Sequence, residues 1–303
     1  MPASDTALPL RIGARTLWTL RRRLVRRGLT LAEALAGEAP ALPPLSPGDD
    51  GYLVTGLPAA LAGELARRHP RLRRFVRQRY DRSYADLTRG FDAWLAGLSA
   101  KSRSTLKRKA KKLAERSGGA LDLHVYSKPD EMAQFHRDAR IVSVKTYQER
   151  LLGAGLPDGP DALAEMEALA RRDQARGWLL FVDGRPVSYL YAPAQGETLV
   201  YAYLGYDPGF ADLSPGSVLQ LEAMRGLMAE KRFGLFDFTE GEGQHKRQFA
   251  TGRIDCVDLL LVQPTLANLA AAWTLTVFDG AVALARRALA RLGADKALRR
   301  LRR

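Results

Sequence analysis

One cysteine and four histidines are all that 303 residues offer for thiol or imidazole chemistry. A lone Cys256 excludes an internal disulfide framework and a cysteine-rich metal site. The histidines, at 69, 124, 136 and 245, never fall at the spacing of a local metal motif, so no metal is expected. Residues 1–10 lack the basic start and apolar run of a signal peptide, which leads to the expectation of a cytosolic protein. There is no internal repeat. The bulk is ordinary: 46% apolar and 26% charged residues fit a folded chain, and the length corresponds to about two domains.

The charge is less ordinary. A net +14 is concentrated in three stretches. Residues 11–27 carry seven Arg and no acid, 101–116 carry eight Lys/Arg against Glu115, and 286–303 carry eight against Asp295. The remaining body is acidic on balance. Basic segments at the edges of such a body suit an anionic lipid surface or a phosphorylated ligand at least as well as a nucleic-acid duplex. The plain alternative is a set of solvated helix faces.

Residues 14–28 read as a short basic helix, and 38–50, with four prolines, as a linker. A strand at 51–57, a helix at 58–68, a strand at 72–80 and a helical turn at 91–98 follow. Ser99 suits an N-cap for a long basic helix through Arg116, closed by Gly118-Gly119. From 120 the order is strand (120–126), helix (129–152), helix (161–176, with Asp161 as cap), then strands at 178–182, 187–193 and 198–206. Asp183-Gly184 and Gln195-Gly196 mark the tight turns between those strands. Ser214-Pro215-Gly216 opens a helix to Lys231, and strands at 235–238 and 254–262 complete the set. The fold class is therefore α+β, a sheet covered by helices.

Three stretches carry a family resemblance. They are Thr146-Tyr147-Gln148 with Gly153-Ala154-Gly155, then Gly205-Tyr206-Asp207-Pro208 running into Ser214-Pro215-Gly216. The third is Phe236-Asp237-Phe238-Thr239-Glu240-Gly241-Glu242 with His245-Lys246 and Phe249. In this order they resemble the CelD-like (BioF2-like) acyltransferases of the GNAT superfamily, which are related to the Fem aminoacyl transferases. The basic helix 101–116 is similar to the one that precedes the domain in that family. The resemblance covers roughly residues 90–262. It implies a GNAT-like mixed or antiparallel central sheet flanked by helices, with helical N-terminal and C-terminal extensions. It divides the chain into a basic helix and linker (1–50), a degenerate first half with the basic helix (51–119), the acyltransferase domain (120–263) and a basic tail (264–303). Two departures stand out. The common GNAT phosphate loop is replaced by Ser214-Pro215-Gly216-Ser217, as in CelD-like proteins, and His245 stands where the family usually has Tyr.

The chemistry follows the same residues. A helix N-terminus offers free N–H groups and a positive dipole end, Gly216 permits close approach, and Ser214 and Ser217 add donors. With Tyr206 and Val218, the resemblance implies that they hold an acyl-CoA co-substrate; the alternative is a simple helix cap. Asp237, Glu240, Glu242, His245 and Lys246 crowd at a strand end. Asp237, Glu242 or His245 could accept the proton of an amine, and Lys246 could stabilise charge on the carbonyl oxygen. The alternative is a solvated acidic loop with Lys246 as counter-ion. Tyr201, Tyr203 and Tyr206, taken as alternating along one strand, would share one face and wall an acceptor pocket, or else be core. Tyr147 and Gln148 belong to the acceptor side by the resemblance. His124 and His136 read as surface or structural residues.

Residues 266–285 contain only Asn268 and Asp279 as strongly polar groups. On a helical projection these two fall on one side with Arg286, opposite Leu266, Trp273, Val277 and Leu284. Asp279 argues against a spanning helix and for an amphipathic one that packs on the domain or lies on an anionic membrane. The leading expectation is an acyl-CoA-dependent N-acyltransferase acting on an amine of a cell-envelope sugar or lipid, a sphingoid-like base included, from the cytosolic face. The second is a Fem-like transferase using aminoacyl-tRNA. Against it stand the absence of a long helical-hairpin insertion and a first half too short for a complete second domain. The third is a non-enzymatic basic protein bound to nucleic acid, which leaves the acidic cluster after Phe238 without a role.

Overall fold

The computed structural model describes residues 3–12, 15–146, 149, 155–240 and 244–291. The chain divides into two compact units, Met1–Tyr80 with Ile254–Arg303 and Asp81–Arg253. Two long strands, β4 (Arg73–Asp86) and β11 (Gly252–Val262), run through these boundaries.

The unit made from both chain ends holds β1 (Ser4–Ile12), β2 (Arg15–Gly28), α1 (Leu31–Ala36), β3 (Gly51–Pro58) and α2 (Ala62–Arg68), then α9 (Leu266–Arg291). Its strands run β1-β2-β3-β11, with β2 and β3 parallel and the other pairs antiparallel. One core packs Val25, Leu57, Leu65, Val257 and Leu261; the other packs Leu8, Leu10, Leu24 and Leu260 beneath Ala272 and Leu275 of α9.

The basic helix expected over 14–28 is instead β2. Its partner decides this. In β1, Thr6, Leu8 and Leu10 are buried at every second position, and β2 lies antiparallel to it with Leu20 opposite Leu8. An Arg- and Leu-rich segment favours helix locally, so cross-strand packing here overrides that preference. The N-terminal extension is thus a β-hairpin followed by α1, whose Thr30 and Glu33 form a capping box.

The second unit contains α3 (Phe91–Gly97), α4 (Ala100–Arg116), β5 (Asp122–Tyr126), α5 (Met132–Ser143) and α6 (Pro160–Arg171). It continues with β6 (Ala175–Val182), β7 (Arg185–Gln195), β8 (Thr198–Val200), β9 (Tyr203–Tyr206), α7 (Pro215–Glu230), β10 (Leu235–Asp237) and α8 (Gln244–Phe249). The strand order is β4-β10-β8-β7-β6-β5, with β9 also on β7; only β8 and β10 are parallel. Successive residues of β6 go to opposite cores. Trp178 and Leu180 pack with Leu106, Leu113, Leu219 and Met224, while Leu179 packs with Phe135, Met166 and Tyr189. This is the mixed sheet flanked by helices that the pattern implies.

Local signals act as expected at several points. The Ser99 hydroxyl accepts from Ser102 N at 3.1 Å at the start of α4. Asp183 and Gly184 both take positive φ, 52° and 69°, as a two-residue hairpin turn requires. The helix expected over 129–152 ends at Ser143. That expected from Asp161 starts one residue earlier, with Gly159 at its N-cap and Pro160 in its first turn.

Gly205, in the middle of β9, has no room for a side chain. A Cβ there would lie 2.5 Å from the Tyr189 ring and 2.7 Å from the Thr146 methyl. Gly205→Ala is expected to lower stability by about 1–3 kcal/mol, seen as a fall in Tm. Gly226→Ala, on the exposed side of α7 where an added Cβ meets nothing, should raise it by up to about 1 kcal/mol.

Candidate active site

The site originates in a parting of strands. β8 pairs with β10 from Thr198↔Leu235 to Val200↔Asp237, and Tyr201 N then donates to Asp237 O at 2.8 Å. Beyond that bond the chain turns away from β10, and β9 pairs with β7 from Tyr203↔Tyr191 to Tyr206↔Ser188. Among the described residues β9 has no strand on its other side.

This break corrects the reading of the three tyrosines. Residues 201 and 202 fall between β8 and β9, so no single alternation runs through them. Tyr201 and Tyr206 line a cavity of about 310 Å³ beside the parting. Tyr203 packs on the opposite side of the sheet with Tyr191 and Phe135.

The cavity is headed by the start of α7. Ser214 takes a left-handed conformation, φ 52°, and its hydroxyl caps nothing, so it is free for another partner. Pro215 has no N–H, and the N–H groups of Ser217 and Val218 bond back to Ser214 O. A Cβ on Gly216 would stand 3.3 Å from Leu204 Cδ2 and 3.5 Å from Tyr206 Cδ1, so the helix backbone approaches β9 closely here. Val218, by contrast, has its side chain fully in the core, which removes it from the cavity wall.

Two groups that the sequence did not single out complete this end. Gln220, one turn after Gly216, lines the cavity while 2% exposed, and its Nε2 is buried without a partner. Lys109 of α4 donates to Ser217 Oγ at 3.4 Å, and Lys112 pairs with Asp212 at 3.1 Å. A helix N-terminus, two hydroxyls, an unpaired amide and a nearby ammonium together suit a phosphorylated ligand.

On the β10 side, Asp237 is 1% exposed and fully engaged. Arg82 Nε and Nη2 reach its Oδ2 at 3.1 and 2.5 Å, and Thr239 N donates to its Oδ1 at 2.8 Å. With its oxygens so occupied, Asp237 is placed as a positioning residue rather than a free base. Lys246 Nζ donates to Glu240 O at 2.5 Å and stands 5.8 Å from the centre of the Tyr201 ring. Burial lowers the Lys246 pKa from the usual ammonium value, opposed by the charges of Glu240 and Asp237. Burial likewise pushes the Tyr201 phenol up. Tyr201 therefore joins the two halves: it lines the cavity and lies beneath Lys246.

Tyr147, Gln148 and Glu242 lie outside the described residues. So does the side chain of His245, whose backbone belongs to α8. His124 is exposed beside Asp122, and His136 is buried against Pro157 O. A larger cavity of about 590 Å³ lies in the other unit under the second half of α9, among Arg77, Asp258 and Asp279. Nothing there resembles an acyl-transfer arrangement.

Comparison with known proteins adds a family match over part of the chain. Residues 100–247 match the acetyltransferase (GNAT) domain family. The C-terminal domain of a candidate lysylphosphatidylglycerol synthetase from Agrobacterium fabrum is similar in structure, with a TM-score of 0.51 at 15% identity over 78% of this chain and 73% of that one. FemX is similar with a TM-score of 0.51 at 12% identity, over 71% and 72% of the two chains. At these identities the likeness is one of fold. No curated protein matches the sequence.

Removing one member of the Arg82–Asp237 pair leaves a buried charge alone. Arg82→Ala is expected to cost about 3–5 kcal/mol of stability in a denaturant titration, whereas Arg82→Met combined with Asp237→Leu should recover most of it.

Proposed function

From the match of residues 100–247 to the acetyltransferase (GNAT) domain family, we propose an acyl-CoA-dependent N-acyltransferase. The observation that carries this reading is the parting of β9 from β10 at the head of α7. It leaves an open strand edge beside a cavity whose end is built for phosphate.

In this reading the CoA pyrophosphate sits at the N-terminus of α7. Gly216 gives it close approach, Ser214 and Ser217 donate hydroxyls, and Lys109 supplies charge. The pantetheine amides run along the unpaired edge of β9 past Tyr206, and Gln220 Nε2 gains the acceptor it lacks in the free protein. The thioester carbonyl then lies near Tyr201, with Lys246 aimed at the oxygen where negative charge develops. The acceptor amine attacks the carbonyl carbon, the C–N bond forms and the C–S bond breaks. The amine proton passes to Glu242 or His245 and from there to the departing thiolate, so CoA leaves as the thiol. Asp237 holds the strand end through Arg82. Tyr147 and Gln148 stand on the acceptor side by the family resemblance, while Tyr203, half-buried on the opposite side of the sheet, drops out of that set.

The acceptor class we propose is an amine on a cell-envelope sugar or lipid. One structural relative is named as a lysylphosphatidylglycerol synthetase, which supports the lipid part of that choice. An acyl-CoA donor implies work in the cytosol.

A ligand of the native state raises its Tm, by an amount equivalent to about 2.7 kcal/mol at a hundredfold excess over Kd. Acetyl-CoA or a long-chain acyl-CoA should therefore stabilise the protein and tRNA should not. Stabilisation by tRNA alone would replace this reading with transfer from aminoacyl-tRNA. Gln220→Leu removes an unpaired buried donor, so it should raise the Tm of the free protein by the equivalent of about 1 kcal/mol while reducing the shift produced by acyl-CoA. Lys246→Ala should lower kcat by about a hundredfold with the fold intact; full retained activity would remove Lys246 from its carbonyl role.

A further inference from the structure

α9 is turned the opposite way from an ordinary surface helix. Its two strongly polar residues face the protein: Asn268 is 2% exposed, and Asp279 pairs with Arg77 at 3.2 Å, in line with the buried Ala272 and Leu275. Leu275 and Phe278 pack inward, but four large apolar residues of the helix face out. Leu266, Trp273, Val277 and Leu284 are 89, 59, 64 and 68% exposed, at spacings that place them on one face. From Leu266 to Ala285 no fully exposed position holds a charge. Burying two polar side chains while leaving a tryptophan and three aliphatic residues in water is unfavourable unless something else covers that face.

We infer that the outward face of α9 docks on an anionic lipid bilayer. The argument for lipid over a second copy of the chain is charge. Arg22 reaches the start of the helix, donating to Ala267 O at 2.7 Å. Arg11 and Arg79 stand with Val282 around the cavity beneath its second half. The sequence after Ala285 adds Arg286 and Arg287. Two copies meeting face to face would bring these cations together, whereas anionic headgroups would neutralise them. Trp18 points the same way. It pairs with Leu10, which packs toward α9, so it stands on the sheet face that carries the helix, and it is 69% exposed. An exposed Trp beside an apolar helix is the composition favoured at a membrane–water boundary. Among the described residues no helix is long and apolar enough to cross a membrane, so α9 lies on the surface rather than through it.

The test is co-sedimentation of the full chain with vesicles of equal phosphatidylglycerol and phosphatidylcholine, against phosphatidylcholine alone. The protein should sediment with the anionic vesicles only, and less as salt rises. Val277→Asp with Leu284→Asp should weaken this by about tenfold or more. Val277→Ser with Leu284→Ser, which adds no charge, should weaken it in the same direction. Both pairs should leave the Tm and the acyl-CoA-induced shift unchanged, so failure of this inference is read separately from failure of the acyltransferase reading. No binding to anionic vesicles, or equal binding by the serine pair, would overturn it. So would a wild-type dimer in analytical ultracentrifugation that the serine pair converts to monomer, because the face would then belong to a second copy.

Discussion

Asp237 and Arg82 are held together at the place where the second unit stops being a regular sheet. β10 is three residues long, and its last residue carries the carboxylate that Arg82 grips from β4, the neighbouring strand. The other edge of β10 meets β8 only as far as the bond from Tyr201 to Asp237. One lip of the opening is therefore fixed by a buried ion pair. The other is fixed by β9 lying on β7, which Gly205 permits by leaving space for Tyr189 and Thr146. The opening is a consequence of how both lips are anchored, and a ligand would find it already formed.

The two ends of the opening differ in their electrostatics. At the start of α7 the backbone dipole and Lys109 present positive charge to a region in contact with solvent. At the β10 end Lys246 sits over an aromatic ring with reduced solvation, and burial works against its charge. A cation so placed interacts more strongly with a developing negative charge than it would in water. The division suits a ligand with a phosphorylated handle and a reacting group at opposite ends.

The elements set by local chemistry were legible in the sequence: the Ser99 cap, the Asp183-Gly184 turn and the Ser214-Pro215-Gly216 helix start all appear where their residues place them. Elements decided by a distant partner were not. Residues 15–28 become a strand because β1 offers a buried alternation to pair with, and no helical projection reveals that. The same limit applies to the site. Gly216 and Ser217 could be picked out because a helix start has its own signature. Arg82 could not, since its partner lies far along the chain, and Gln220 reads as one polar residue in an apolar helix until its amide is found buried and unpaired. For α9 the projection separated two faces correctly, but only Arg77 and its pairing with Asp279 decide that the polar face turns inward.

The first unit is closed by a strand from the far end of the chain: Leu57 of β3 pairs with Val257 of β11. During synthesis from the N-terminus, the β1–β2 hairpin and the β2–β3 pair emerge early, but the apolar edge of β3 waits for β11 while the whole of the second unit is made. Val54 and Leu57, both fully buried in the finished protein, spend that interval without their partner strand. The second unit needs no such wait, since its contacts lie between residues 81 and 253. Topology thus favours an order of assembly in which the second unit can fold first, and the unit bearing α9 is completed last.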